Sequence, residues 1–161
     1  MMDTYVDVRK TKASENFNTK SKLLGVDMNR QVDALNKTYD GNLKFKVCTD
    51  FYTDKEVIEL CWVNPSIRIL ELPEVDSLKI GYINSYTGDS LFRITENTVG
   101  TLKIPKSMQS LRWSDISQFH NLTSLWIWDT TIIEGERGAF SPVKMLFIQS
   151  TKGGKTQVYR F

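Results

Sequence analysis

The groups best suited to chemistry are few. His120 is the only histidine, and Cys48 and Cys61 are the only cysteines. A catalytic histidine needs a nucleophile or an acid held beside it, and no supporting motif surrounds Phe119-His120-Asn121. Its place just before an apolar run reads as a loop. The cysteines do not form a C-x-x-C pair for metal or redox work, so they are expected as free, largely buried thiols. Glu71, Glu74 and Asp76 make one acidic cluster, and Glu134 and Glu136 flank Gly135 in another. Paired carboxylates can act as acid and base in glycoside hydrolysis, but only at a defined separation in space. Neither cluster has calcium-loop spacing, and solvated turns explain both. No catalytic residue, metal site or cofactor is expected, and the chain reads as a non-enzyme.

Other patterns have plainer explanations. Gly153-Gly154-Lys155-Thr156 is like the end of a phosphate-binding loop. The full motif needs glycine where Gln149 stands and a helix after the threonine, so a Gly-Gly hairpin turn before a final strand is preferred. Asn36-Lys37-Thr38 and Asn121-Leu122-Thr123 match the glycosylation sequon, which matters only in a secreted protein. Lys144, Lys152, Lys155 and Arg160 make residues 141–161 basic, with no acid among them. The whole chain carries a net charge of only +2, so nucleic acid is not the favoured partner.

These groups must be positioned by a chain of 161 residues, 40% hydrophobic and 25% charged. That length suits one domain with a core of its own and excludes a disordered chain. No apolar run approaches the roughly 18–20 residues of a membrane span, and no secretory h-region opens the chain. A cytoplasmic location without a membrane partner is expected. Residues 1–25 read as a polar, extended arm and residues 26–161 as a single β-rich domain. A helix is expected from about Asp27 to Tyr39, with Val32 and Leu35 inward and Gly41 as its stop. Leu43, Phe45 and Val47 alternate with Lys44 and Lys46 as in a half-buried strand. Thr53-Asp54-Lys55-Glu56 fits a capping box, which predicts a second short helix over Asp54–Trp62, ended by Asn64-Pro65.

From Ile67 onward short apolar runs recur. Val75–Ile80, Val99–Ile104, Leu122–Ile127 and Val143–Ile148 share one pattern, an aliphatic residue, then Leu, then Ile. Their central leucines, Leu78, Leu102, Leu125 and Leu146, are separated by 24, 23 and 21 residues. The pattern resembles the leucine-rich repeat, L-x-x-L-x-L-x-x-N, over residues 67–151. Ser107, Thr130 and Thr151 stand where that family places asparagine, while Ile83 departs from it in the first copy. Leu91, Phe92 and Ile94, then Leu111 and Trp113, suggest a second strand on the back of some turns. The resemblance implies an irregular, β-rich α+β solenoid in which the helix at Asp54–Trp62 is the N-terminal cap. Gln157–Phe161 would close the other end. A β-sandwich or barrel is the alternative.

In such a stack the residues between core positions line up in columns. One column holds Lys79, Lys103, Trp126 and Phe147. A second holds Gly81, Pro105, Trp128 and Gln149, and a third holds Ser77, Thr101, Ser124 and Met145. Trp126, Trp128, Met145 and Phe147 would then make an apolar patch beside Lys79 and Lys103, a surface suited to another protein. If the strands are buried on both faces, the tryptophans are core instead. The family resemblance implies a noncatalytic recognition scaffold that binds protein through its sheet face. The alternative is a structural component of a larger assembly, such as a virus particle, in which the arm embraces a neighbour.

Overall fold

A computed structural model of the chain describes residues 5–7, 28–50, 54–80 and 98–161. Helix α1, Met28–Thr38, lays Gln31, Val32 and Leu35 on one buried face. Lys37 in its last turn suits the negative end of the helix dipole. Gly41 takes φ +80°, a left-handed conformation that glycine adopts without strain, and the chain reverses there into strand β2, Leu43–Thr49. Both expectations for this stretch hold.

Strand β3, Glu56–Val63, corrects the capping helix expected over Asp54–Trp62. Thr53 of the proposed capping box lies outside the described residues. β3 pairs antiparallel with β2 along its length and parallel with β5, Leu78–Ile80, so it is the centre of a three-stranded sheet. Val57, Ile58, Glu59 and Leu60 are consecutively buried. A helix offers one stripe to the core, whereas a central strand buries both faces. Asp54, at φ +58°, belongs to the hairpin turn, where its N–H donates to Asp50 O at 2.9 Å.

Beyond β3 the chain coils. Strands β4 (Ile69–Glu71), β6 (Thr101–Lys103), β8 (Ser124–Trp128) and β10 (Met145–Gln149) lie side by side and parallel. They put Leu70, Leu102, Leu125 and Leu146 in register. Each step between turns repeats one hydrogen-bond motif. Arg68 O accepts the N–H groups of Gly100 and Thr101 at 2.8 and 3.0 Å, and Gly100 O accepts those of Thr123 and Ser124 at 2.9 and 3.1 Å. Thr123 O accepts those of Lys144 and Met145 at 2.9 and 3.1 Å. The fold is a β-solenoid of about three turns, which displaces the sandwich or barrel alternative.

Three of the four aligned leucines are therefore neighbours, and the fourth is not. Leu78 sits on β5, in the three-stranded sheet; the repeating front strand that precedes β6 is β4, centred on Leu70 within the run Ile67–Leu72. Leu78 belongs with the return path of the turns, where β7 (Ser110–Arg112) pairs parallel with β9 (Ile132–Glu134). The back strand expected at Leu111 is present, while Trp113 opens the short helix α2, Trp113–Ile116. Gly81, Ile83, Leu91, Phe92 and Ile94 lie outside the described residues.

The two ends of the front sheet are built differently. From the N-terminal arm, Tyr5–Asp7 forms strand β1, parallel to β4 on one edge. The arm is thus part of the sheet at these residues; the rest of residues 1–25 lies outside the description. At the other edge β11, Gln157–Arg160, returns antiparallel to β10 across the Gly153-Gly154 turn, the last strand expected there, and leaves its own outer edge exposed. Between front and back runs a core of Leu70, Leu72, Val99, Leu102, Ile104, Ile116, Phe119, Leu122 and Leu125, all buried.

Candidate partner-binding face

Strand β8 alternates. Leu125 and Ile127 are buried, while Ser124, Trp126 and Trp128 are half-buried on the front face. In-register parallel strands about 4.8 Å apart bring equivalent side chains into contact. Trp126 and Phe147 accordingly stack with ring centroids 4.2 Å apart and planes 8° from parallel. On the other side of Trp126, Lys103 Nζ lies 5.0 Å from the indole centroid and 3.7 Å from Glu71 Oε1. The row across the turns is thus carboxylate, ammonium, indole, phenyl. Trp128 is held differently: its Nε1–H donates to Ile104 O at 2.9 Å, and Lys106 Nζ stands 4.6 Å from its ring. Each cation–π contact is worth about 0.5–1 kcal/mol at such exposed sites.

The structure brings together five of the six residues expected on this face. Lys103, Trp126, Trp128, Met145 and Phe147 share the front sheet, and both tryptophans are surface residues packed on neighbours rather than core. Lys79 does not join them. It lies on β5 in the other sheet, and Glu71 of β4 takes the place assigned to it. The misplacement follows from reading the Leu78 segment as a front strand.

Lys79 instead lines a cleft of about 30 Å³ with Asp50, Arg112, Asp115 and Glu134. Arg112 Nε is 3.5 Å from Glu134 Oε2. Burial pushes the Asp115 carboxyl up to about 6, against the opposing pull of Arg112 and Lys79. The cleft has room for about one water molecule, which suits a charged structural junction rather than a substrate. The thiols are also quiet. Cys48 Sγ donates to the buried Glu59 Oε2 at 2.9 Å, and burial followed by that hydrogen bond pushes its thiol up to about 12. Burial also raises the Cys61 thiol, with Glu59 adding to it. Both cysteines are unpaired and half-buried.

The remaining motifs find structural places. Gly153, at φ +79°, sits in the turn of the β10–β11 hairpin, as the Gly-Gly reading expects. Asn36 of the first sequon clamps the edge of β2: its Nδ2 donates to Phe45 O at 2.9 Å and its Oδ1 accepts Phe45 N–H at 2.7 Å. His120 is exposed in a groove beside Trp113 and Phe140. The acidic residues are dispersed, and two serve the stack in a way the sequence reading missed. Glu74 accepts the N–H groups of Lys106 and Ser107 at 2.9 and 3.0 Å, and Asp129 Oδ2 accepts that of Thr151 at 3.3 Å. Each acid stands four residues after a front-strand leucine and ties its turn to the next. Ser107 Oγ, at one of the positions where the leucine-rich repeat places asparagine, reaches Val75 O only at 3.5 Å, so at this step the Glu74 carboxylate makes the shorter bonds. The signal was there in Leu70–Glu74 and Leu125–Asp129, once the first repeat is centred on Leu70.

Among the described residues no group of three His, Cys, Asp or Glu is placed to hold a metal, and no helix is long and apolar enough to cross a membrane. The fold and face together define a β-solenoid with a half-exposed aromatic row. Comparison with protein-family models, with curated proteins and with solved structures finds no match to this chain.

Proposed function

We propose that this protein is a noncatalytic, cytoplasmic protein-binding module, an irregular relative of leucine-rich-repeat scaffolds, which recognises its partner through the front sheet. The observation that carries this reading is the row Lys103–Trp126–Phe147, three stacked side chains left half-exposed on three consecutive turns. Flat aromatic surface beside a cation is the composition of an interface anchor. The repeated front strands support the scaffold reading, and the unpaired Cys48 and Cys61 support the location. The test compares neighbours in sequence. Trp126→Ala should weaken affinity for the partner captured from the native host by about 2 kcal/mol or more, with the unfolding temperature kept. Leu125→Ala should cost about 2–5 kcal/mol of stability, because it opens a cavity in the core. If Trp126→Ala unfolds as readily as Leu125→Ala, the proposed face is discarded.

One observation favours a second reading, a structural component of a larger assembly. Strand β1 comes from the polar arm and adds to the edge of the sheet at β4, which is the geometry used when subunits exchange strands. Sedimentation of the full chain and of a chain lacking residues 1–25 separates the two. An oligomer that dissociates on deletion supports assembly; a monomer in both cases rejects it.

A further inference from the structure

Among the described residues the six-stranded sheet ends on β11, and all four residues of that strand are exposed. In the antiparallel β10–β11 pair Leu146 lies opposite Tyr159 and Ile148 opposite Gln157, and Phe161 N–H donates to Lys144 O at 2.9 Å. Bonded and non-bonded positions alternate in such a pair. Gln157, Tyr159 and Phe161 therefore turn their backbone groups toward β10, and Val158 and Arg160 turn theirs away from the sheet. An outward row of N–H and C=O groups is a template for another strand. Proline or a bulge would blunt it, but Gln157–Arg160 contains no proline and pairs with β10 without a register shift. Val158 and Tyr159 are 47% and 51% exposed, so the edge carries apolar side chains on both faces.

Charge selects the occupant. Lys144, Lys152, Lys155 and Arg160 lie on or beside this hairpin, all exposed, residues 141–161 contain no acid, and Asp129, which lines the groove at the turn with Lys155 and Gln157, is bonded to Thr151. A second copy would set these cations against their equivalents, whereas a segment bearing carboxylates would neutralise them. We infer that β11 is a strand-addition site for an extended, acidic segment of a partner protein. The segment pairs with the outward backbone of Val158 and Arg160, sets a β-branched residue beside Val158, and sets a carboxylate beside Arg160. This edge does not depend on the aromatic row being the binding surface, although Val158 lies opposite Phe147 and continues that face.

The test adds the acetylated heptapeptide Thr-Val-Thr-Glu-Thr-Val-Thr, whose Val and Glu share one face as Val158 and Arg160 do, to the full chain and follows amide hydrogen exchange, with Thr-Val-Thr-Lys-Thr-Val-Thr as control. The acidic peptide should protect the Val158 and Arg160 amides, and the basic one should not. Val158→Pro removes an outward donor and leaves the bonds to β10, so it should keep the unfolding temperature and weaken binding about tenfold. Arg160→Glu should shift the preference toward the basic peptide. The proposal is overturned if millimolar acidic peptide gives no protection, if both peptides protect equally, or if Val158→Pro binds like wild type while folded. Protection that rises with protein concentration alone would identify a second copy as the occupant and overturn the acidic partner.

Discussion

Asp115 shows how one residue records its surroundings. It faces Arg112, Lys79, Asp50 and Glu134 in the cleft behind the solenoid, and burial outweighs its cationic neighbours. Its folded value of about 6 lies above the ordinary carboxyl value of about 3.9. A carboxyl so raised holds its proton more tightly in the folded state. Its stabilising contribution is therefore full below about pH 4 and is lost as pH rises through about 6. Asp115→Asn removes the cost of the buried charge. It should stabilise the protein by about 1 kcal/mol at pH 8, discounted for partial solvation, and match wild type near pH 4. Thermal unfolding across that range checks it, and an Asn variant less stable at pH 8 would mean the carboxylate is needed by Arg112 or Lys79. Little of this was legible in the sequence. Asp115 carries no motif, and its neighbours come from four separate segments.

Among the elements, β3 and α1 make an instructive pair. Thr53-Asp54-Lys55-Glu56 has local helix-start chemistry, yet Glu56–Val63 is a strand. A capping box contributes about 1 kcal/mol through a few hydrogen bonds. A central strand with Val57, Ile58 and Leu60 buried between two partners gains several times that from burial. Helix α1 had no such competitor, so its local pattern prevailed. Its Asn36 then does what no periodicity announces. It bonds both backbone groups of Phe45, beside the register shift at Lys44/Phe45, where β2 is the edge of its sheet among the described residues. Asn36→Ala should cost about 1–3 kcal/mol, because it strands a part-buried N–H and C=O. Denaturant unfolding measures the loss, and amide exchange should locate it at Phe45. A loss below about 0.5 kcal/mol would show that water replaces the clamp.

At the scale of the molecule, stacked turns touch only their neighbours, so stability is graded along the stack. Leu102 is fully buried with a turn on either side, whereas Leu146 is half-buried near the β11 edge. Leu102→Ala should therefore cost about 3–5 kcal/mol and Leu146→Ala about 1–2 kcal/mol. Amides of β6 and β8 should exchange more slowly than those of β10 and β11. Equal costs for the two leucines would overturn the burial difference, and equal protection from β6 to β11 would show that the domain unfolds as one unit from end to end.

By itself the sequence determined the period. Leu102, Leu125 and Leu146 recur on a repeat that a stacked parallel sheet can satisfy, and alternation around Leu125 and Ile127 set Trp126 and Trp128 on the opposite face. Those are nearest-neighbour properties, written into the spacing of side chains along a strand. Only the tertiary structure decided which strand stood first. Leu78 and Leu70 both sit in apolar-x-apolar runs, and only pairing with Leu102 or with Ile58 tells front from back. That choice sent Lys79 to the cleft and put Glu71 beside Lys103. It also made a strand of β3, and it brought Tyr5–Asp7 onto the sheet edge. Hydrogen-bond partners far apart in sequence leave no local signature, because a backbone N–H carries no side-chain code for the carbonyl it will meet.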